Sequence, residues 1–245
     1  QPVVSQQAGL NTWLRLLSQW QQDEQLQQLA VCFAPAIQLK ATELNCTEQP
    51  DSRIQCNYQA LSSTVAAGGF SQLLVLAGRG AASYNNGILQ LPDNASLALL
   101  RHEFMHVLGF IDEYRLADDT AAEVCHSAKL YPNILFAAQQ AAYLQHWQLD
   151  AGQIALTPVE SCAASNLQAY RVVETANVMR SYELGLPALY LTLAQRILNK
   201  PEAIMPVQYY FAYLARQQQN WPAWQQFMQQ AAALGYDEAQ QALAP

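Results

Sequence analysis

The chain has 245 residues, of which 51% are hydrophobic and 13% are charged, a composition typical of a globular protein with a sizeable core. Its formal net charge of −7 argues against binding to nucleic acid or to an anionic membrane surface. It contains no run of about eighteen apolar residues, so we expect no transmembrane helix.

The N-terminal third predicts one helix followed by several strands. Residues 10–30 repeat apolar side chains at three- and four-residue spacing, which predicts an amphipathic helix. Residues 31–39 predict a short strand that Pro35 restricts to a sheet edge. Residues 70–77 predict a buried strand, and residues 83–91 predict a second one, broken at residues 85–87, after a glycine-rich turn. These elements indicate a mixed α+β protein.

The five cysteines indicate disulfide bonds. Cys46 and Cys56 flank a short polar segment that we interpret as a stapled hairpin or loop, and Cys125 and Cys162 could close a longer loop. Cys32 is then left over, as a free thiol or the donor of an intermolecular bond. The alternative is five reduced cysteines in a cytosolic protein.

Disulfide bonds favour an oxidising compartment, so we predict an exported protein, whether periplasmic, attached to the cell surface or secreted. The sequence begins at Gln1 rather than at a methionine, and it carries no signal peptide. We therefore expect a signal or anchor segment that is missing from this sequence.

A helix is predicted over residues 95–108, which are rich in leucine and alanine and contain no helix breaker. Asp93 or Asn94 is the expected N-cap. Gly109 is expected to end the helix, because glycine adopts the left-handed conformation without a steric penalty.

Within this helix the sequence reads H-E-x-x-H, the spacing of a zinc-binding helix. Residues four apart lie on one helix face, so His102 and His106 can direct their imidazoles at a single ion. Glu103 lies roughly 100° further around the helix, where it could take a proton from the attacking water. The motif also occurs by chance, but here its flanks are apolar, and burying two histidines and a glutamate without partners is costly.

Asp112 is the candidate third ligand. The chain can fold back after Gly109 and bring this carboxylate to the metal, which leaves a fourth position open, as catalysis requires. Glu113 and His126 are the alternatives for the third position.

The pattern H-E-x-x-H-x-x-G-x-x-D resembles that of the metzincin metallopeptidases, with aspartate in place of the usual third histidine. The run H-E-F-M-H-V-L-G-F-I-D-E-Y is similar to that of the snapalysin family of small secreted bacterial proteases. Its D-E-Y ending also resembles the bacterial IgA-cleaving metallopeptidases. The resemblance is confined to this run and to a second short stretch downstream.

The resemblance implies further site residues. It predicts a tight turn carrying a methionine beneath the metal, for which Met179 within residues 177–180 is the candidate, although a plain core methionine is the alternative. It makes Tyr182 a candidate oxyanion donor, with Arg180 behind it, although Tyr182 follows Met179 by three positions instead of two. It also implies that residues 88–90 form a sheet edge to which an extended substrate could add, an ordinary hairpin being the alternative.

From residue 200 the sequence predicts short helices with alanine-rich and aromatic faces, over residues 206–218, 222–234 and 237–243. Part of this region resembles half of a tetratricopeptide-like repeat, which cannot bury its own apolar face. We therefore predict a metallopeptidase-like domain over residues 1–199 and a helical appendage over residues 200–245. The appendage packs on that domain or offers a docking surface to a protein partner.

Together these features predict an α+β, zincin-like fold, a twisted sheet with an active-site helix, and the function of an exported zinc endopeptidase acting on proteins or peptides. His102, His106 and Asp112 would hold the zinc, and Glu103 would act as general base. Two alternatives stay open. One is an interaction protein built on a catalytically degenerate peptidase fold, and the other is a zinc hydrolase of cell-wall peptides.

Overall fold

The computed structural model describes residues 1–244, and it is mixed α+β, as predicted. The helices are α1 (Gln7–Gln22), α2 (Ala41–Leu44), α3 (Ser62–Ala67), α4 (Leu97–Val107), α5 (Asp118–Cys125), α6 (Gln140–Trp147), α7 (Ala188–Leu198), α8 (Val207–Gln217), α9 (Trp221–Ala233) and α10 (Asp237–Leu243). The strands are β1 (Pro2–Val4), β2 (Ile37–Gln38), β3 (Glu48–Arg53), β4 (Leu73–Leu76), β5 (Arg79–Ala81), β6 (Ser83–Asn85), β7 (Ile88–Leu91), β8 (Ile134–Leu135), β9 (Thr157–Val159) and β10 (Ala169–Arg171).

The described chain packs as two compact units. The first contains residues 1–107 and the residues from Lys200 onward, and the second contains residues 108–199. Among the described residues, no helix has both the length and the apolar character needed to cross a bilayer. The predicted domain boundary after residue 199 stays a prediction.

A five-stranded mixed sheet forms the centre of the first unit, in the order β2-β1-β4-β7-β6. The first four strands run parallel, and β6 pairs antiparallel with β7 through a hairpin. The expectation that residues 88–90 form the sheet edge is wrong, because β7 is paired on both sides. The hairpin places Ser83–Asn85 outside β7, so β6 is the edge strand.

Helix α1 is shorter than the periodicity of residues 10–30 predicts, because it ends at Gln22. The carboxylate of Asp23 then accepts the backbone N–H groups of Gln25 and Leu26, at 3.0 and 2.9 Å, and these bonds turn the chain out of the helix. Likewise, of the strand predicted over residues 31–39 only Ile37–Gln38 forms.

Helices α1 and α4 both contact the five-stranded sheet and also contact each other. Trp20 of α1 packs edge-on against Phe104 of α4, with ring centroids 5.1 Å apart. The guanidinium of Arg15 donates to the carbonyl oxygen of Ala95 at 2.7 Å, immediately before α4. The helix that carries the H-E-x-x-H motif is therefore fixed by a buried aromatic contact and by a charged hydrogen bond.

Helices α8, α9 and α10 contribute buried apolar side chains to the core of the first unit. Phe211 of α8 and Phe227 of α9 pack with ring centroids 5.5 Å apart. They share one core cluster with Val3 and Val75 of the sheet and with Val65 of α3.

Gly87, in the β6–β7 hairpin, lies against Val207, the first residue of α8. Its φ is +77°, and a Cβ atom there would lie 2.6 Å from the backbone of Val207. We expect Gly87→Ala to lower the free energy of unfolding by about 2–4 kcal/mol, from backbone strain and overpacking together. Gly69→Ala is the matched control, because Gly69 also has positive φ but would have nothing within 4 Å of the added methyl group.

Denaturant unfolding of the two variants measures the difference. Gly69→Ala is expected to lower the free energy of unfolding through backbone strain only, by about 1–2 kcal/mol. Equal losses in both variants would show that the contact between the hairpin and α8 does not constrain residue 87.

The second unit contains a three-stranded antiparallel sheet, β8-β10-β9, with α5, α6 and α7. A disulfide joins Cys125 at the end of α5 to Cys162, and a second one, in the first unit, joins Cys46 to Cys56. Cys32 is exposed and free. The predicted disulfide bonding is therefore confirmed, and the structure supplies the pairing, which the cysteine spacing alone leaves open.

Candidate metal centre

Ser96 begins helix α4. Its hydroxyl oxygen accepts the backbone N–H of Leu99 at 3.1 Å, which is the hydrogen bond of an N-cap. The prediction of Asp93 or Asn94 as N-cap is wrong, because the chain first makes a turn closed by the bond from Ala95 N–H to the Pro92 carbonyl oxygen, at 3.1 Å.

Helix α4 is buried on most of its circumference, which places polar side chains in an apolar setting. His102 and Glu103 are each only 6% exposed, and Leu100, Phe104 and Met105 beside them are buried. Gly109 then adopts φ +81°, the left-handed conformation predicted for it, and the chain leaves the helix. The two turns of helix before Gly109 therefore hold the motif in one fixed orientation.

The structure brings three of the predicted ligands together. One side-chain nitrogen each of His102 and His106 and one carboxylate oxygen of Asp112 all lie within 4.8 Å of one another. The Nε2 atoms of the two histidines are 3.2 Å apart, and their rings stand nearly perpendicular, at 89°. Among the described residues this is the group of His, Cys, Asp and Glu side chains that could hold a metal ion.

The donor set fits a divalent metal ion. Ligands about 2.0–2.1 Å from a tetrahedral centre lie roughly 3.3–3.4 Å from each other, close to the separation of the two Nε2 atoms. Two imidazoles and one carboxylate leave a fourth position for a reactant, as in catalytic metal sites. The arrangement could therefore hold a metal ion.

The alternative third ligands lie elsewhere. The carboxylate of Glu113 is 1% exposed and accepts hydrogen bonds from the Tyr190 hydroxyl, at 2.5 Å, and from the side-chain amides of Asn177 and Asn133, at 2.8 and 3.2 Å. His126 is exposed at the end of α5. Neither residue belongs to the cluster of three ligand atoms.

Burial raises the pKa of the Glu113 carboxyl above its usual value, and the hydrogen bonds from Tyr190, Asn133 and Asn177 partly oppose this increase. Burial and the neighbouring Glu113 also raise the pKa of Tyr190 well above its usual value, which keeps its hydroxyl protonated as a donor.

The Asp112 segment is held by hydrogen bonds within the second unit. The hydroxyl of Ser161 donates to the backbone carbonyl oxygen of Asp112 at 2.6 Å, next to the disulfide at Cys162. The hydroxyl of Tyr114 donates to the Asp112 carboxylate oxygen Oδ2 at 2.7 Å. A ligand that is itself hydrogen-bonded in this way keeps its orientation before a metal arrives.

Residues 177–180 form a tight turn, closed by the bond from Arg180 N–H to the Asn177 carbonyl oxygen at 2.8 Å. Met179 is fully buried in this turn, and its carbonyl oxygen accepts the backbone N–H of Glu113 at 2.9 Å. The turn thus lies against the segment that carries Asp112. Tyr182 is 43% exposed, and its role as an oxyanion donor stays a prediction.

No motif in the sequence indicates the residues that hold the Asp112 segment. Asn133, Ser161 and Tyr190 lie in stretches without a motif, 21, 49 and 78 residues after Asp112 when the numbers are subtracted. Asn177 was predicted only as part of the methionine turn. The one available signal was a charged residue, Glu113, in a segment expected to be buried, which requires partners from elsewhere in the chain.

No protein-family model matches this chain, and no curated protein matches it. The functional interpretation therefore depends on the chemistry of the cluster and its surroundings.

Proposed function

We propose that the protein is a zinc-dependent endopeptidase. The observation that supports this most strongly is the cluster of His102, His106 and Asp112, with Glu103 on the same helix, buried, one residue after the first ligand. A structural metal site has no need for a buried carboxylate at this position, whereas hydrolysis requires a base beside the metal. A zincin-like arrangement of the sheet and α4 is part of the same proposal.

His102, His106 and Asp112 would hold the ion, with Asp112 kept in place by the hydroxyls of Tyr114 and Ser161. When bound, zinc supplies a Lewis acid that polarises the scissile carbonyl and makes water more acidic. Glu103 accepts a proton from the attacking water and passes it to the leaving amine. Tyr182 is the candidate donor to the oxyanion, and Met179 shapes the turn that contacts the Asp112 segment.

The substrate class proposed is a protein or peptide, and the compartment is outside the cytosol. The two disulfides support export, because such bonds persist in oxidising environments. The net charge of −7 supports a protein substrate over anionic wall polymers, which suit a cationic surface better. The helices α8–α10 are where a protein partner would dock if the protein serves as an interaction module.

Hydrolysis of a casein-type protein and of a cell-wall peptide, by protein loaded with Zn²⁺, tests the proposal. We expect cleavage of the casein-type substrate, its loss with a chelator and its return with added Zn²⁺. Cleavage of the wall peptide alone would favour the cell-wall hydrolase. Metal binding without hydrolysis of either substrate would favour the interaction protein.

A further inference from the structure

Glu113, next to the candidate ligand Asp112, is buried among hydrogen-bond donors only. Its oxygen Oε1 accepts from the Tyr190 hydroxyl and from Asn133 Nδ2, and its oxygen Oε2 accepts from Asn177 Nδ2. The donors come from three separate segments of the second unit. One carboxylate therefore joins three distant parts of the chain at the residue that follows Asp112.

The two asparagine partners cannot reverse their side-chain amides without losing other bonds. Asn133 accepts the backbone N–H of Ile111 through Oδ1, at 2.8 Å, and donates to the Ile111 carbonyl oxygen through Nδ2, at 2.6 Å. Asn177 accepts the backbone N–H of Met179 through Oδ1, at 2.9 Å. Backbone groups thus fix both amides with their N–H₂ groups towards Glu113.

Only a side chain whose two terminal atoms both accept hydrogen bonds fits this environment. A glutamine at position 113 would have the same shape, but its own N–H₂ group would face one of the donors and leave buried polar groups unpaired. The requirement for a carboxylate therefore arises from the partners on both sides and not from the size of the side chain.

The same bonds restrain the segment that carries Asp112. Asn133 holds Ile111 on one side of Asp112, and Glu113 is held on the other side by its carboxylate and by its backbone N–H, which donates to the Met179 carbonyl oxygen at 2.9 Å. Since residues on both sides are anchored, the backbone at Asp112 has little freedom to turn its carboxylate away.

We infer that Glu113 is a positioning residue for the metal centre, which holds Asp112 ready to bind the ion by joining its segment to Asn133, Asn177 and Tyr190. This inference rests on the proposed function only for the presence of the metal, and it makes no use of peptide hydrolysis. Glu113 contributes no atom to the cluster of candidate ligand atoms, so it would act through Asp112 alone.

The test measures Zn²⁺ affinity by competition with a chromophoric chelator, together with the absorption spectrum of the Co²⁺-loaded protein. We expect Glu113→Gln to weaken Zn²⁺ binding by about 10–100-fold, the usual effect of removing a group that orients a metal ligand. We expect its Co²⁺ spectrum to shift towards that of Asp112→Ala, because Asp112 no longer holds its place.

The matched control is Gln90→Leu. Gln90 is also buried, and it donates to the Ala77 carbonyl oxygen at 2.8 Å and accepts from the Tyr58 hydroxyl at 3.0 Å, within the first unit. This variant should lose stability while its Zn²⁺ affinity stays within about twofold of the wild type. An equal loss of affinity in Gln90→Leu and Glu113→Gln would overturn the inference, because general destabilisation would then explain both.

Tyr190→Phe keeps the test decisive if Glu113→Gln does not fold. This variant removes one hydrogen-bond donor to Glu113 and retains the ring contact with Phe110. We therefore expect a smaller loss of Zn²⁺ affinity, up to about tenfold. Wild-type affinity and an unchanged Co²⁺ spectrum in a folded variant would overturn the inference and leave the proposed function standing. A wild type that binds metal but cleaves no peptide would overturn only the proposed function. A wild type that takes up neither ion would overturn both.

Discussion

Glu103→Gln is expected to bind zinc as the wild type does and to lose peptide hydrolysis, with kcat lower by about 10²–10⁴-fold. The change replaces a base with an amide of the same shape, and the three clustered ligand atoms belong to other residues. Metal content and turnover are measured on the same preparation, so loss of activity through loss of metal is detected directly.

Glu43→Gln is the matched control for this variant. Glu43 is exposed in the short helix α2, where it accepts the backbone N–H of Lys40 at 2.8 Å, and glutamine can accept the same bond. Its turnover should equal that of the wild type. Peptide hydrolysis that persists in metal-loaded Glu103→Gln at the wild-type rate would contradict the assignment of the general base.

Asp112→Ala is expected to lower Zn²⁺ affinity by more than about 100-fold, because changes outside the ligand set already cost about 10–100-fold. It removes one of three ligands and also leaves the Tyr114 hydroxyl without its carboxylate acceptor. The backbone should keep its course, since Ser161 binds the carbonyl oxygen of residue 112 and not its side chain.

Asp112→Asn refines this measurement. It preserves the shape and a hydrogen-bond acceptor for Tyr114, but it removes the negative charge that a divalent ion prefers. We expect its affinity to fall between those of the wild type and Asp112→Ala. Wild-type affinity in both variants would assign the third ligand to another residue, and Glu113 would not suit the role because its oxygens already accept three hydrogen bonds.

The parts of the molecule that the sequence predicts well are those set by short-range geometry. His102 and His106 share a helix face because they are four residues apart, and Gly109 ends that helix because of its positive φ. Three further residues suffice to return Asp112 to the histidines. The sequence also predicts disulfide bonding, although it leaves the pairing of the five cysteines to the structure.

Sheet order is harder to predict, because neighbouring strands are set by distant parts of the chain. Strand β7 has a buried, apolar pattern that suits an edge next to a helix as well as an interior position. It is interior because β4 pairs with it on one side and β6 on the other, and the parallel pairing with β4 depends on a crossover that local patterns do not reveal. Helices α8–α10 share a core with the N-terminal strands. These contacts also join residues that are far apart in the sequence, so local patterns do not predict them.

Hydrogen-bond partners of the Asp112 segment were beyond prediction for the same reason. Glu113 meets Asn133, Asn177 and Tyr190 only after the second unit has folded. A buried acidic residue implies that hydrogen-bond partners exist, but it does not identify them. The clustering of His102, His106 and Asp112 could therefore be predicted from the sequence, whereas the hydrogen-bond network around Glu113 could not.

The zinc content of the purified protein, after incubation with Zn²⁺ and removal of the excess, shows whether His102, His106 and Asp112 form a metal site. The same measurement is made on His106→Ala, with His146→Ala as the control, since His146 is exposed beside Trp147 and outside the cluster. We expect one zinc per chain in the wild type and in His146→Ala, and its loss in His106→Ala. A wild type that takes up no zinc would contradict this expectation, and the 3.2 Å contact between the two Nε2 atoms would then be a hydrogen bond within a vestigial site.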